Sequence, residues 1–362
     1  MNIIKKVMIL VIFLMTIYVV YGLFQKNADI KKQIDKEIQK RLEEGFSDLT
    51  AAADMSKLND DAAALGLGLD IKSVSEDVYN FPIKEFVIKS SYNSAIVGRS
   101  ANKEAIKFVL NRGCRVLDFE IYTRRDDKDF EREYISFSED PEYKSINTDL
   151  DLSMEDAFTT VIGNAFTSAP APKDPLFIHL RIKNHTHNAY QRISKSIETN
   201  FGSKMYDKKV NGSTRIGDLM DKVVIILDIT SAPDYERHGR CQSSDGPDCV
   251  PFSVYIQLRS GMVDFPKYSY IDYDTLISSP ISIADDGRTD MKSFYMVTPP
   301  QVGNVEAPTV MELAKQPCQM VLMKFYDQTS ALKSYENLFN VAQSSFCLIS
   351  TLLKNSRRLN SE

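Results

Sequence analysis

The larger part of this chain, from Phe81 to Leu352, alternates short apolar runs with segments of helical periodicity. Several of the runs are continuous in Val, Ile, Leu and Phe, as expected for strands buried on both faces. Strands that alternate with helices over about 270 residues predict an α/β fold with a parallel sheet, and this length suits a closed (β/α)8 TIM barrel. The candidate strands are Phe86–Lys89, Arg115–Ile121, Tyr134–Phe137, Leu176–Ile182, Val223–Asp228, Ser253–Leu258, Gln319–Phe325 and Phe346–Ser350.

Helices are predicted between these strands from apolar periodicity and from start and stop signals. Ser153 with Asp156 three residues later is typical of a helix start, and Gly113 follows the end of the first predicted helix. The stretch Ser231–Arg288 is less regular, and we interpret it as the place where two halves of the barrel join. The predicted helices are Ala101–Asn111, Ser153–Phe166, Ala189–Thr199, Pro308–Lys315 and Ser330–Val341.

An apolar run near the N-terminus predicts a membrane anchor. Residues 7–24 (VMILVIFLMTIYVVYGLF) contain no charged side chain. A bilayer-spanning helix needs about 20 apolar residues, and no small-residue cleavage motif follows the run. We therefore predict a retained single-span anchor, with a cleaved signal peptide as the alternative. Lysines flank the run on both sides, so the positive-inside rule leaves its orientation open.

The chain is thus predicted to contain four parts: a membrane anchor at 1–24, a charged helical stalk and spacer at 25–80, a barrel at 81–352 and a polar tail at 353–362. The 44 Lys+Arg against 49 Asp+Glu give a net charge of −5, which argues against nucleic-acid binding. Five cysteines without a C-x-x-C pair predict neither a disulfide scaffold nor a zinc site. Cys241 and Cys249 flank a short loop and could form a disulfide if the barrel lies outside the cytosol.

Acidic side chains lie near the ends of the predicted strands, where barrels of this kind carry their functional groups. Asp118 and Glu120 are two residues apart on one strand and therefore point to the same face. If that face is the barrel interior, the two carboxylates need a cation between them or a raised pKa. One arrangement is a hard cation such as Ca²⁺, held also by the side-chain carbonyl of Asn93. The other is an ion pair with a basic side chain, for which the candidates are Arg115, Arg181 and Lys183.

Six strings at and between these strands occur in a familiar order. They are Phe86–Gly98 (FVIKSSYNSAIVG), Asn111–Glu120 (NRGCRVLDFE), Met154–Phe166, Pro175–Leu180 (PLFIHL), Ile216–Ile226 and Cys318–Phe325 (CQMVLMKF). Together they resemble phosphoinositide-specific phospholipase C over about 270 residues, from Phe81 to Leu352. The resemblance implies a TIM barrel built from X- and Y-type halves. It also implies phosphodiester cleavage by acid–base histidines and, in the eukaryotic branch, a catalytic Ca²⁺.

The same resemblance shows departures at the positions that carry the chemistry. Tyr92 stands where the family has its first catalytic histidine, and Tyr134–Ser138 supplies no second one. A tyrosine hydroxyl, with an ordinary pKa of about 10, is a poor base at neutral pH. Arg181 stands where the family has an acidic ligand of Ca²⁺. Asp228 ends the strand after which the family has phosphate-binding lysines. The other implied Ca²⁺ ligands are Asn93, Asp118 and Glu120.

The remaining histidines do not replace the missing ones in this interpretation. His179 shares a strand face with Arg181, whereas His185 and His187 are predicted to lie on a surface loop. Two histidines without a third ligand nearby are weak evidence for a metal site.

The sequence therefore predicts a membrane-anchored, phospholipase C-like barrel whose catalytic site is degenerate, a binding or structural protein at a membrane. An arginine in the metal position favours an internal ion pair over Ca²⁺, so we expect no cofactor. Arg181 and Lys183 are candidate contacts for a phosphoinositide or phosphodiester ligand. The alternative is an active phosphoric diester hydrolase, in which Asn93, Asp118 and Glu120 would act with an unusual base on phosphoinositides or glycerophosphodiesters.

Overall fold

The computed structural model describes residue 32 and residues 49–64, 69–125, 130–140, 143, 145–246, 249–275, 281–292, 294–303 and 305–359. The predicted anchor at 7–24 and nearly all of the predicted stalk lie outside these residues. Within the part described, no helix is both long and apolar enough to cross a membrane. The chain divides into two units, 1–50 and 51–362, and the fold below is that of the second. The four-part division of the chain stays a prediction.

Eight parallel strands form a nearly closed barrel. In order around the barrel they are β10 (Lys267–Ser269), β11 (Met296–Thr298), β12 (Met320–Met323), β1 (Phe86–Ser91), β4 (Val116–Arg125), β7 (Leu176–Ile182), β8 (Val223–Asp228) and β9 (Leu258–Ser260). No strand pairing joins β9 to β10 in the described residues. The predicted α/β barrel is therefore confirmed, with one seam left open.

Five further strands are antiparallel and lie off this path. The first two, β2 (Ile96–Val97) and β3 (Ser100–Ala101), pair with each other. The strand β5 (Glu131–Ile135) joins β4 to β6 (Leu152–Ser153), and β13 (Phe346–Leu348) pairs with β1. The helices are α1 (residues 51–64), α2 (Lys103–Asn111), α3 (Met154–Ala165), α4 (His187–Phe201), α5 (Ile216–Leu219), α6 (Tyr235–His238), α7 (Val310–Lys315), α8 (Ser330–Ala342) and α9 (Ile349–Leu359).

The longer helices begin where a side chain can cap them. The Ser153 hydroxyl accepts a hydrogen bond from the Asp156 backbone at the start of α3, as the sequence predicts. Such a cap satisfies one backbone N–H that the helix itself leaves unpaired. The same type of cap is made by Asn102 for α2, Thr186 for α4, Thr309 for α7 and Thr329 for α8.

The interior of the barrel changes from apolar to polar along the strands. Its lower part is a buried apolar cluster that includes Ile88, Val116, Phe177, Val224 and Met320. Because side chains alternate between the two faces of a strand, the next inward positions are two residues later. On β4 and β7 those positions hold Asp118 and His179, both fully buried. The polar end of the barrel is thus built directly on a dry apolar base.

The second half of the barrel differs from the prediction. Ser253–Leu258 is not a strand, because Phe252–Tyr255 is a 3₁₀ helix and β9 starts only at Leu258. The stretch Ser231–Arg288, interpreted as an irregular join, contains both β9 and β10. Strand β11 was not predicted. Each of these strands is three residues long, which is too short to show a recognisable apolar run.

One strand in the first half also differs. The strand predicted at Tyr134–Phe137 is β5, which ends at Ile135 and pairs antiparallel with β4 outside the barrel. Cys241 and Cys249 form a disulfide, and the other three cysteines are free and buried.

Candidate functional site

The polar end of the barrel interior borders a cavity of about 460 Å³. This volume suits a small-molecule ligand or the headgroup of a lipid. The side chains that line the cavity come from the ends of the barrel strands and from the loops that follow them. They are Tyr92, Tyr143, Arg181, Lys183, His185, Asp228, Thr230, Ser231, Pro233, Lys267, Tyr268, Ser269, Thr298, Pro299, Pro300 and Gln301.

Arg181 lies between the carboxylates that the sequence places on one strand face. Its Nε is 3.0 Å from Asp118 Oδ1, and its Nη2 is 2.9 Å from Asp118 Oδ2. Its Nη1 is 2.5 Å from Glu120 Oε2, and Nη2 also donates to Asn93 Oδ1. The parallel register of β4 and β7 explains the contact, because it pairs Glu120 with Arg181 directly. The structure thus brings four of the predicted site residues together.

The charges of this cluster are fixed by mutual contact. Burial alone would raise the pKa of Asp118, but the charge of Arg181 and the hydrogen bond from His179 lower that pKa below its usual value. Burial alone would lower the pKa of Arg181, but Asp118 raises it well above its usual value. Both side chains therefore stay ionised at neutral pH.

The turn after β1 aims Asn93 at this cluster. Asn93 has a left-handed backbone with φ 45°, a conformation that asparagine tolerates better than most residues. In this turn the Asn93 backbone N–H donates to Asp118 Oδ2 at 2.9 Å, and the Asp118 N–H donates to Ser94 Oγ at 2.9 Å. The β1 turn and the β4 carboxylate thus hold each other in place.

His179 belongs to the same network, although the sequence predicts no role in the site for it. Its Nδ1 lies 2.7 Å from Asp118 Oδ1, and its Nε2 lies 2.9 Å from Ser260 Oγ. His179 and Ser260 are fully buried, and neither is among the residues that line the cavity. The signal that could have found His179 is its alternation with Arg181 on one strand. Ser260 gave no such signal, since it ends a strand that was not predicted.

Two tyrosines complete the surroundings of Arg181. The guanidinium carbon lies 4.6 Å from the centroid of the Tyr92 ring, a cation–π contact. Burial raises the pKa of Tyr92, so at neutral pH its basic phenolate form is even scarcer than in a free tyrosine. The Tyr122 hydroxyl donates to Glu120 Oε1, which gives this carboxylate a second partner.

A separate ion pair also lines the cavity. Lys267 Nζ lies 2.6 Å from Asp228 Oδ2 and 2.8 Å from Thr230 Oγ1. Burial alone would raise the pKa of Asp228, but Lys267 lowers it below the usual value. From the sequence, Asp228 is notable only because it ends the strand after which phosphate-binding lysines are expected. Lys267 is not predicted at all, since it lies on the unpredicted β10.

Other predicted residues fall at the edge of the site or outside it. His185 lines the cavity, and its Nδ1 lies 3.1 Å from the Tyr190 hydroxyl. His187 starts α4 and lies outside the cavity, with Nε2 2.9 Å from Asp245 Oδ1. Arg115, one of the candidate cations, points away and donates to the carbonyl of Ala165 at 3.0 Å.

The region in which the resemblance implies a second histidine contains Ser136 and Ser138. Ser136 Oγ donates to Asp151 Oδ1 at 2.6 Å, and Ser138 Oγ donates to the Ser145 carbonyl at 2.5 Å. Neither serine is among the described residues that line the cavity. The strand region Tyr134–Ser138 therefore brings no titratable base to the site.

The donor set around Arg181 does not fit Ca²⁺. That cation takes six to eight oxygen ligands, whereas Asn93, Asp118 and Glu120 each accept a hydrogen bond from Arg181 here. In the described part of the chain, no group of three His, Cys, Asp or Glu side chains is placed to hold a metal ion. The centre is therefore arranged around a guanidinium.

Comparison with known proteins identifies one family. Residues 79–227 match the family model for the X domain of phosphatidylinositol-specific phospholipase C. The crystal structure of PLC21 from S. officinalis is similar over 76% of this chain and 38% of that chain, with 14% identity and a TM-score of 0.56. PLC21 from L. pealei is similar over 75% and 37%, with 14% identity and a TM-score of 0.54.

At this identity the likeness concerns the fold alone. The chain also spans well under half the length of these two structures. A comparison with curated protein sequences finds no match.

Proposed function

Because this chain belongs to the phospholipase C-like family of TIM-barrel phosphodiesterases, we propose that it is a member that binds an anionic ligand at a membrane and does not cleave phosphodiesters. The single observation that carries the proposal is the position of Arg181. Its guanidinium fills the space between Asp118 and Glu120 and is bound by both. A permanent internal cation thus takes the place that the resemblance gives to a catalytic metal.

The groups around the cavity support the loss of catalysis. Phosphodiester cleavage of the implied kind needs a base for the attacking hydroxyl and an acid for the leaving group. Tyr92 stands at the position of the first histidine, and burial raises its pKa, so almost no phenolate is present at neutral pH to act as a base. Serines stand near the position of the second. Each missing acid–base group typically costs about 10²–10⁴-fold in rate.

Residues 7–24 carry the proposed attachment to the membrane. This run is long enough to span a bilayer and contains no charged side chain. The Cys241–Cys249 disulfide supports a barrel on the oxidising side of that membrane, since disulfides rarely persist in the cytosol. The three free cysteines are buried, as suits a protein in such a compartment.

Hydrolysis assays on the full chain in detergent test this function. We expect no turnover of phosphatidylinositol or of glycerophosphodiesters, with or without Ca²⁺, and binding to vesicles that contain anionic lipid. Turnover by the wild-type chain that is lost in Asp118→Asn, with the thermal midpoint of that variant preserved, would overturn the proposal. Absence of both turnover and vesicle binding would point to a purely structural protein.

The role of Arg181 has its own test, in which Arg181→Glu places an acid at the position where the resemblance implies one. This variant has three carboxylates and an amide around one point, a donor set that suits Ca²⁺. We expect Ca²⁺ to raise the thermal midpoint of Arg181→Glu and to leave that of the wild-type chain unchanged. Equal Ca²⁺ stabilisation of both proteins would contradict the assignment of Arg181 as the replacement cation. Lys204→Gln, far from the cavity, is the matched control for loss of a cation.

An active hydrolase is the second candidate, and one observation favours it. The buried hydrogen bond between His179 and Asp118 joins an imidazole to the Arg181 centre. An imidazole oriented by a carboxylate is a common arrangement for acid–base catalysis. In the same assays, turnover that is lost in both Asp118→Asn and His179→Asn would establish this alternative.

A further inference from the structure

Lys183 is the cation that lies farthest along β7 in the direction of the cavity. It follows the last strand residue, Ile182, and is two residues beyond Arg181, so the two basic side chains share a direction. Its Nζ lies 3.5 Å from the centroid of the Tyr143 ring. Both Lys183 and Tyr143 line the cavity.

The other two cations of the cavity are already neutralised. Arg181 is bound by two carboxylates, so this centre offers no net positive charge to an incoming anion. Lys267 is paired with Asp228 at 2.6 Å. Within the part of the chain that the structure describes, Lys183 has no carboxylate within 4 Å.

A half-buried ammonium without an anionic partner is an unusual arrangement. Buried charges are normally paired, because their loss of water is otherwise uncompensated. The aromatic ring of Tyr143 contacts the ammonium on one side only. The N–H groups on its other side remain available to another acceptor. Burial and the nearby charge of Arg181 lower the pKa of Lys183 to about 8, as expected for a cation that lacks its counter-ion.

We propose that Lys183 is the main anion-binding group of the cavity and holds the phosphate-type oxyanion of a small ligand against Tyr143. This inference rests on the proposed function, and it places the ligand anion at Lys183 and not at the Arg181 centre. The oxyanion is that of a lipid headgroup or of a free phosphate compound, and the two sources share this chemistry.

Calorimetric titration of the full chain tests the proposal with inorganic phosphate and with inositol 1-phosphate. We expect Lys183→Gln to weaken binding of either probe by about 10- to 100-fold, the usual loss for a hydrogen-bonded charge pair. Lys183→Arg keeps the charge and should stay near wild-type affinity. The matched control is Lys204→Gln, since Lys204 also lies over an aromatic ring, at 5.0 Å from the Phe166 centroid, but outside the cavity.

The pH dependence of binding provides a readout that a merely structural lysine would not change. The protonated amine binds the anion, so wild-type affinity should fall as the pH rises through about 8. Lys183→Arg should show no such fall, because the guanidinium stays charged. The titratable and charged groups near Lys183 are Arg181, Glu120, Asp228, Lys267, Tyr143 and His185.

Vesicles of phosphatidylinositol and of phosphatidylcholine separate the two sources of the anion. Phosphate binding that depends on Lys183, without binding to either vesicle, supports this inference and contradicts the proposed membrane-lipid function. Binding to phosphatidylinositol vesicles in excess of that to phosphatidylcholine vesicles, if Lys183→Gln leaves this excess unchanged, supports that function and overturns this inference. Phosphate affinity that is equal in wild type and Lys183→Gln also overturns it.

Discussion

Two buried ion clusters in this barrel have opposite compositions. At the carboxyl end of the strands, one cation, Arg181, lies between two carboxylates. On the outer side of β1, one carboxylate, Glu336 of α8, lies between two cations. Lys89 Nζ is 3.3 Å from Glu336 Oε1, and Arg112 Nε donates to the same oxygen at 2.7 Å.

The two clusters also differ in their surroundings, because only one of them borders the cavity. Lys89 and Glu336 are at most 1% exposed, and neither they nor Arg112 lines the cavity beside Arg181. Arg181 is also buried but borders the 460 Å³ cavity. Burial of charge therefore does not by itself indicate a functional site, since structural ion pairs are buried just as deeply. The Arg181 cluster is a candidate site because it borders a cavity, whereas the Glu336 cluster is a structural ion pair.

Removal of the Glu336 charge, which lies between Lys89 and Arg112, should have the largest effect on stability. Glu336→Gln leaves the buried Lys89 and Arg112 next to each other without an anion, and neither of them lines the cavity beside Arg181. We expect a loss of about 3–5 kcal/mol in the free energy of unfolding, measured by denaturant titration. The matched control is Lys89→Met, in which Glu336 keeps its two-point contact with Arg112. A control that costs as much as Glu336→Gln would contradict this account of the cluster.

Removal of the central charge at the cavity should cost less. Arg181→Met leaves Asp118 and Glu120 without their cation, but the cavity admits water and either carboxylate can take up a proton. We expect a loss of about 3 kcal/mol at pH 7, at the lower end of the range for broken buried pairs. A loss larger than that of Glu336→Gln would show that the cavity does not reduce the cost of leaving the carboxylates unpaired. The two clusters would then not differ in the way described.

The two variants should also respond to pH with opposite signs. In Arg181→Met the folded-state pKa of a buried carboxylate rises above its unfolded value, so the variant should gain stability as the pH falls from 7 to 5. In the wild-type protein the pKa of Asp118 is lowered, so that carboxylate contributes stability that is lost on acidification. In Glu336→Gln the pKa of Lys89, already lowered by burial, falls further, so this variant should gain stability as the pH rises from 7 to 9. Parallel pH profiles would contradict the assignment of charges.

The sequence was sufficient to predict the strands β1, β4, β7 and β8 of the barrel and the shared face of Asp118 and Glu120. Strands β4 and β7 are seven residues or longer, so their apolar runs and the alternation of Asp118 and Glu120 could be recognised. The parallel register then determines that Arg181 faces Glu120. The strand assignments and the shared carboxylate face needed only local periodicity and the rule that functional groups lie at strand ends, whereas the choice of Arg181 among the candidate cations came from the structure.

The rest of the site depends on contacts between distant segments. Lys267 and Ser260 lie on strands of three residues, which no periodicity can reveal. Tyr143 reaches Lys183 from a loop forty residues earlier in the chain, and nothing in its own neighbourhood indicates that contact. Such residues become site residues only through the tertiary fold, so a single sequence does not identify them.

The partly exposed ion pair between His187 and Asp245 should have the smallest effect on stability. It therefore serves as a comparison for both buried clusters. His187 Nδ1 lies 2.9 Å from the His238 carbonyl, and Nε2 lies 2.9 Å from Asp245 Oδ1. Both partners can only accept, so both hydrogen bonds require the protonated ring. The hydrogen bond to Asp245 raises the pKa of His187.

Because its folded-state pKa is raised, His187 should contribute stability that is complete below its unfolded pKa of about 6.5 and is lost as the pH rises through the folded value. The difference in thermal midpoint between wild type and His187→Gln should therefore be largest at pH 5.5 and nearly absent at pH 8.5. His185→Gln is the control, since burial lowers the pKa of His185 and its contribution should change in the opposite direction. A difference for His187→Gln that does not vary with pH would show that this pair, unlike the two buried clusters, owes nothing to its charge.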